Sequence, residues 1–84
     1  MQLFAEADLK NQSSKSLEKG IENFKKEIIK HNEKIAHPEK YYSDWESVSE
    51  EIKMGRIKHW KKEIENFEKG IRNREEELYR REMQ

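Results

Sequence analysis

Two stretches of this chain place apolar residues in a sustained heptad rhythm. Leu17, Ile21, Phe24, Ile28, His31 and Ile35 follow one another at spacings of 4, 3, 4, 3 and 4, a seam with one polar member. Ile57, Trp60, Ile64, Phe67, Ile71, Arg74 and Leu78 follow at 3, 4, 3, 4, 3 and 4, and Ile52 extends the apolar surface toward the start. Each pattern predicts a helix with one sticky edge. The first is expected over residues 14–36, capped by the hydroxyl of Ser13 or Ser14 and stopped by Pro38, which excludes helical backbone at His37. The second is expected over 48–82, starting near Ser47 to Ser49, where Ser47 followed three residues later by Glu50 reads as a capping box. Pro38, three glycines (Gly20, Gly55 and Gly70) and polar clusters at 11–14 and 43–49 are the chain's punctuation.

These elements predict an all-α fold: an antiparallel two-helix hairpin, coiled-coil-like, forming one domain. Its parts are an N-terminal arm at 1–13 with room for a short helix, helix 1 at 14–36, an aromatic connection at 37–47 and helix 2 at 48–82. The favoured register pairs Leu17 with Leu78, Phe24 with Ile71, Ile28 with Phe67, His31 with Ile64 and Ile35 with Trp60. A rival, slipped by one heptad, pairs Ile28 with Trp60 and leaves Leu78 to be covered by Leu3, Phe4 and Leu9. Opposite Ile64, His31 is expected to be buried as the neutral ring, a polar seam residue that fixes register. Residues 21–28 echo residues 64–71 at six of eight positions, which reads as two helices solving one packing problem with the same residues.

Composition makes that core thin. Of 84 residues 32% are hydrophobic and 43% charged, against roughly 45 to 50% and 25% in an average domain. Much of the charge is placed as i, i+4 pairs on outer faces: Glu22 with Lys26, Glu65 with Lys69, Glu68 with Arg72, and Glu76 and Glu77 with Arg80 and Arg81. Eighteen bases balance eighteen acids, and a polyanion partner is thereby disfavoured. There is no cysteine, no apolar run of membrane-spanning length and no signal-peptide pattern in residues 1–12, so a cytoplasmic protein without a membrane association is expected. Two helices each bury only one edge, and Ile29, Met54 and Tyr79 widen the apolar surface, so a homodimer is expected.

Candidate chemistry is sparse. His31, His37 and His59 lack the i, i+4 spacing of a helical metal site, the carboxylates are spread over outer faces, and no serine sits in a nucleophile elbow. No catalytic, cofactor or metal site is expected, and the protein is not expected to be an enzyme. Lys58, His59, Trp60, Lys61 and Lys62 form a basic patch with an aromatic inside it, the one feature that suits nucleic acid, but Glu63 and Glu65 follow at once. An acidic strip of Glu27, Glu33, Glu50, Glu51 and Glu75 to Glu77 is interleaved with lysines. The connection concentrates Tyr41, Tyr42 and Trp45, three of the eight aromatics. Trp45 is expected to turn back on Ile35, Ile52 or Met54 and plug the hairpin, and at least one tyrosine is expected to be exposed, because successive side chains of an extended segment face opposite ways. Tyr41, Tyr42, Trp45, Lys58 and His59 are therefore the candidate partner-binding residues.

One resemblance adds a setting. The opening Leu3-Phe4-Ala5-Glu6, with Asp8, Lys10-Asn11-Gln12, Leu17, His31, Lys34-Ile35, Pro38, Trp45, Gly55, Ile57 to Trp60, Lys62 to Ile64, Asn66-Phe67 and Asn73-Arg74, resembles short uncharacterised proteins encoded near head-morphogenesis genes of phages and prophages of Gram-positive bacteria. The resemblance spans nearly the whole chain and is most specific at residues 57–67 with Trp45 ahead of them. It implies phage biology and no catalytic residue. The function expected is stoichiometric protein–protein binding, as a head-module accessory; the alternatives are an inhibitor of a host defence enzyme, anti-CRISPR-like, and a nucleic-acid-binding accessory.

Overall fold

Both seams close against each other. The structure, a computed structural model, describes residues 6–83, with side chains from Leu9 onward. It contains α1 (Glu6–Asn11), α2 (Ser14–Ala36) and α3 (Glu50–Glu82), with two short 3-10 turns, Pro38–Lys40 and Trp45–Ser47, between α2 and α3. The long helices α2 and α3 pack side by side as an antiparallel hairpin, and the molecule measures 56 × 22 × 16 Å. Among the described residues no helix is long and apolar enough to cross a membrane. Leu3 and Phe4, offered as cover for Leu78 in the slipped register, lie outside the described residues.

Local chemistry explains where α2 begins and ends. Extended backbone at Ser13 lets its hydroxyl accept the Ser16 N–H at 3.1 Å, and His37 N–H closes the last turn on the Glu33 carbonyl at 2.9 Å before Pro38 diverts the chain. The start of α3 differs from expectation. Its cap is Ser49, which accepts the Ile52 N–H at 3.3 Å, while Ser47 belongs to a 3-10 turn and donates its hydroxyl to the Asp44 carbonyl at 2.9 Å. The residue three positions after Ser49 is Ile52, so no reciprocal box forms; Glu50 and Glu51 instead favour the positive end of the helix dipole.

The register is the favoured one within a residue. Phe24 lies against Gly70 and stacks obliquely on Phe67 with ring centroids 5.6 Å apart, and Arg81 near the end of α3 reaches Ser14 at the start of α2. His31 is buried as expected, but Glu63 faces it where Ile64 was anticipated. Its Nδ1 lies 2.8 Å from the Glu27 carbonyl and its Nε2 3.2 Å from Glu63 Oε1, while the edge of the ring rests on Phe67 at 5.2 Å. Arg74, the polar member of the second seam, lies over the Phe24 ring at 4.7 Å and donates to the Gly70 carbonyl at 3.0 Å. Partial burial lowers its pKa from the ordinary arginine value.

The far end is tied by a second arginine. Arg81 donates to Glu77 at 2.9 Å, to Ser14 Oγ at 3.0 Å and to the carbonyls of Leu9 and Gln12 at 3.0 and 2.6 Å. It thereby caps the carbonyl end of α1 and holds Leu9 over the bottom of the seam, where Leu9 and Leu17 are buried. Glu77 is buried too, and Arg80 pairs with it at 2.6 Å rather than with Glu76. The surface pair read from the sequence is thus one side of a tertiary clamp.

Gly20, Gly55 and Gly70 lie inside helices and break none of them. A Cβ on Gly70 would stand 2.7 Å from Phe24 Cε2, whereas one on Gly55 would meet nothing within 4 Å. Both replacements by alanine gain about the same helix propensity, roughly 1 kcal/mol. Gly55→Ala is therefore expected to stabilise the protein by about 0.5 to 1 kcal/mol, and Gly70→Ala to fall short of it by about 1 to 3 kcal/mol, the usual cost of overpacking. Denaturant melts of the two variants check this, and equal midpoints would refute the close approach of the helices.

Candidate functional site

The connection between α2 and α3 is held by a small set of polar and aromatic contacts. Pro38 is buried, and its carbonyl accepts the N–H groups of both Tyr41 and Tyr42 at 3.0 Å, which turns the chain tightly after α2. Tyr42 then stacks on Trp60 of α3 with centroids 5.6 Å apart and planes 27° apart. Trp60 is 4% exposed. The Arg56 guanidinium sits 3.9 Å from the centre of the Tyr42 ring and grips Asp44 with two bonds, 2.9 Å to Oδ1 and 3.1 Å to Oδ2. That fork lowers the pKa of Asp44 from its ordinary 3.8 and raises that of Arg56, in both cases mainly through the side-chain hydrogen bond.

The plug of the hairpin is therefore Tyr42, not Trp45. Trp45 is half-buried, with the Lys53 ammonium 5.8 Å from its ring centre. It borders a shallow groove of about 750 Å³ that also involves Met54, Gly55, Ile57, Lys58 and Lys61. Met54 is 69% exposed, so it does not receive the indole in a closed core. The expectation of one outward tyrosine is met by Tyr41, which is 48% exposed with the Lys34 ammonium 5.9 Å from its ring.

The five candidate residues separate into three places. Tyr41 stands exposed at the tip, the half-buried Tyr42 stacks on Trp60, and Trp45 and Lys58 share the groove. His59 faces an adjoining depression with Lys58, Lys61 and Lys62, and its Nε2 lies 3.4 Å from Glu63 Oε1, the atom that also lies 3.2 Å from His31 Nε2. Two imidazoles thus converge on one carboxylate oxygen, which the spacing of 31 and 59 in the chain did not suggest. Among the described residues no group of three or more His, Cys, Asp or Glu side chains is arranged to hold a metal ion. The basic patch loses its aromatic, because Trp60 is buried while Lys58, Lys61 and Lys62 are exposed. Asp44 and Arg56 carried no signal in the sequence, since neither belongs to a periodic pattern and their pairing depends on the turn between them.

Compared with protein-family models, with curated proteins and with solved structures, the chain matches none of them.

Burial and stacking together order the aromatic truncations. Trp60→Ala is expected to cost about 3 to 5 kcal/mol, as fully buried aromatics do; of the two half-buried rings, Tyr42→Ala, which loses the stack on Trp60, is expected to cost about 2 kcal/mol and Trp45→Ala about 1 kcal/mol. Thermal or denaturant melts that place Trp45→Ala above Tyr42→Ala would return the plug to Trp45. A second expectation follows from the Asp44 fork. Its folded pKa is lowered, so its stabilisation is present above the unfolded value of 3.8 and is lost as pH falls through the folded one. The stability difference between wild type and Asp44→Asn should be constant near neutrality and shrink in acid below that value. A difference that stays flat through the acid range would mean the fork does not persist in solution.

Proposed function

We propose that this chain works without catalysis, by stoichiometric binding to another protein, and that its partner is a component of a phage head module. The observation that carries the binding reading is Tyr41. A large aromatic ring stands 48% exposed at the tip of the hairpin, while its half-buried neighbour Tyr42 stacks on Trp60. The fold does not use Tyr41 as it uses Tyr42, and tyrosine offers broad contact area at low entropic cost. Lys34 and Lys40 lie in the elements that flank it, and Lys34 sits over its ring, so the tip suits a partner surface with an apolar pocket and acidic rim. The head-module setting rests on the sequence resemblance. The acidic strip gives the inhibitor reading little support, because Glu27, Glu33 and Glu50 each lie within 3.4 to 3.5 Å of a lysine ammonium. A mimic of nucleic acid needs carboxylates that are not neutralised in this way.

Tagged wild type and Tyr41→Ala, each as the full chain, are to be used to capture partners from lysate of infected host cells. Wild type should retain a portal or capsid protein, and Tyr41→Ala should retain it about 30-fold more weakly, as expected for a hot-spot residue, while melting within about 0.5 kcal/mol of wild type. Capture of a nuclease complex would replace the head-module partner by a host-defence enzyme. Undiminished capture by Tyr41→Ala would remove the tip from the interface.

A further inference from the structure

The face of α3 turned away from α2 carries its own pattern. Met54, Tyr79 and Met83 are 69%, 64% and 69% exposed. On a helix of 3.6 residues per turn they fall within about 20° of one line. Between them the same face presents exposed charges in an ordered series: Lys58, Lys61 and Lys62, then Glu65 and Glu68, then Lys69 and Arg72, then Glu75 and Glu76. The series is apolar at both ends, and its signs invert about the midpoint between Glu68 and Lys69.

We propose that this face is an isologous interface on which a second copy of the chain docks antiparallel, with the two-fold axis between Glu68 and Lys69. In that alignment Glu68 meets the partner's Lys69 and Glu65 meets the partner's Arg72. The block of Lys61 and Lys62 faces the block of the partner's Glu75 and the partner's Glu76. At each end Met54 meets the partner's Met83, and Lys58 meets the partner's Tyr79, where an ammonium can lie on the ring. Each of these charged contacts joins opposite signs, and by symmetry each occurs twice.

The alternatives are penalised by the same residues. A slip of one turn in one direction sets Glu65 against the partner's Glu68 and Lys61 against the partner's Arg72. A slip in the other direction sets Glu65 against the partner's Glu76 and Lys69 against the partner's Arg72. A parallel arrangement sets every charge against its own copy. Like charges opposed across an interface select against wrong registers, so the pattern specifies one docking and not general stickiness. The groove beside Trp45, about 750 Å³ with Met54, Gly55 and Ile57 along it, lies where the partner's Met83 arrives. A Cβ on Gly55 would meet nothing within 4 Å, which leaves room for that side chain. The Lys62–Glu65 pair within the chain, at 3.9 Å and with both side chains about 70% exposed, is weak enough to exchange for contacts across the interface. Tyr41 does not border this groove, so the interface does not consume the tip assigned above to a different partner.

Sedimentation of the full chain up to about 100 µM, where weak self-association becomes visible by mass action, tests the proposal with charge reversals at exposed positions. Wild type should sediment at twice the monomer mass of 10.3 kDa. Lys61→Glu and Glu76→Lys should each weaken the dimer at least about tenfold, since each opposes like charges at two symmetric places. An equimolar mixture of the two single variants should recover it, because each then supplies the charge the other lacks, and so should the double variant K61E/E76K. A wild-type mass of 10.3 kDa at the highest concentration overturns the proposal. So does a dimer indifferent to both reversals, which would use another face, and so does a failure of either rescue while circular dichroism shows the variants folded.

Discussion

Everything in this hairpin is hung on the place where Phe24 and Phe67 cross. Their rings lie 5.6 Å apart, and each is covered by the residue one heptad beyond the other: Arg74 over Phe24 at 4.7 Å, His31 against Phe67 at 5.2 Å. A chain with only 32% hydrophobic residues cannot enclose its aromatics in aliphatic side chains alone. It uses amphipathic ones, whose stems or ring edges are apolar and whose polar atoms find partners at the margin. Arg74 ends on the Gly70 carbonyl, and His31 on Glu27 and Glu63. The arrangement demands close approach of the backbones, and that is why Gly20 lies under Arg74 Nε and Gly70 under the Phe24 ring.

From that crossing the helices run out to two ends with little apolar material left, and both are fastened by a guanidinium. At the connection Arg56 joins Asp44 to the face of Tyr42; at the other end Arg81 joins Glu77, Ser14 and the carbonyls that close α1. The geometry calls for a planar fork with five donors that can serve carboxylate, carbonyl and ring at once, and lysine offers a point charge instead. The same economy explains α1: six residues have no independent stability as a helix, and this one is ordered by Leu9 in the seam and Arg81 on its carbonyl end.

Much of this was legible in the sequence, and the limits are physical. The heptad spacing set α2 at 14–36 and its register against α3 within a residue, because a seam of period 3.5 has few ways to face another. A serine cap was foreseeable, but which serine was not: Ser47 and Ser49 offer the same hydroxyl, and the choice depends on the 3-10 turn that Asp44 and Ser47 build. Trp45 looked like the plug because it stands just ahead of the start of α3 and can turn back on Ile35, Ile52 or Met54, yet the tight turn on the Pro38 carbonyl delivers Tyr42 to Trp60. The Arg81 clamp was hidden inside an ordinary i, i+4 spacing, since nothing in one helix tells whether a pair faces water or a neighbouring carbonyl. Of the candidate residues in the connection, an outward tyrosine was foreseeable from the alternation of an extended segment. The split of Tyr41 from Tyr42 required the fold.

A net charge of zero also proves a poor guide to the surface. Along α3 the charges are sorted into blocks, and Coulomb attraction at contact distance depends on which sign stands where, not on the total. A balanced protein can therefore be self-complementary in a way that a basic or acidic one cannot, because every block finds its opposite on an identical chain. The proposed antiparallel docking about the middle of α3 would send the two connections to opposite ends of an elongated pair, so that the two Tyr41 tips would point away from each other. Such a pair would bridge two copies of the proposed partner, the second tip binding at the effective concentration set by the pair once the first is seated. Helical rods would hold the tips at a fixed separation, so bridging would select partner sites repeated at that spacing over isolated molecules of the same protein.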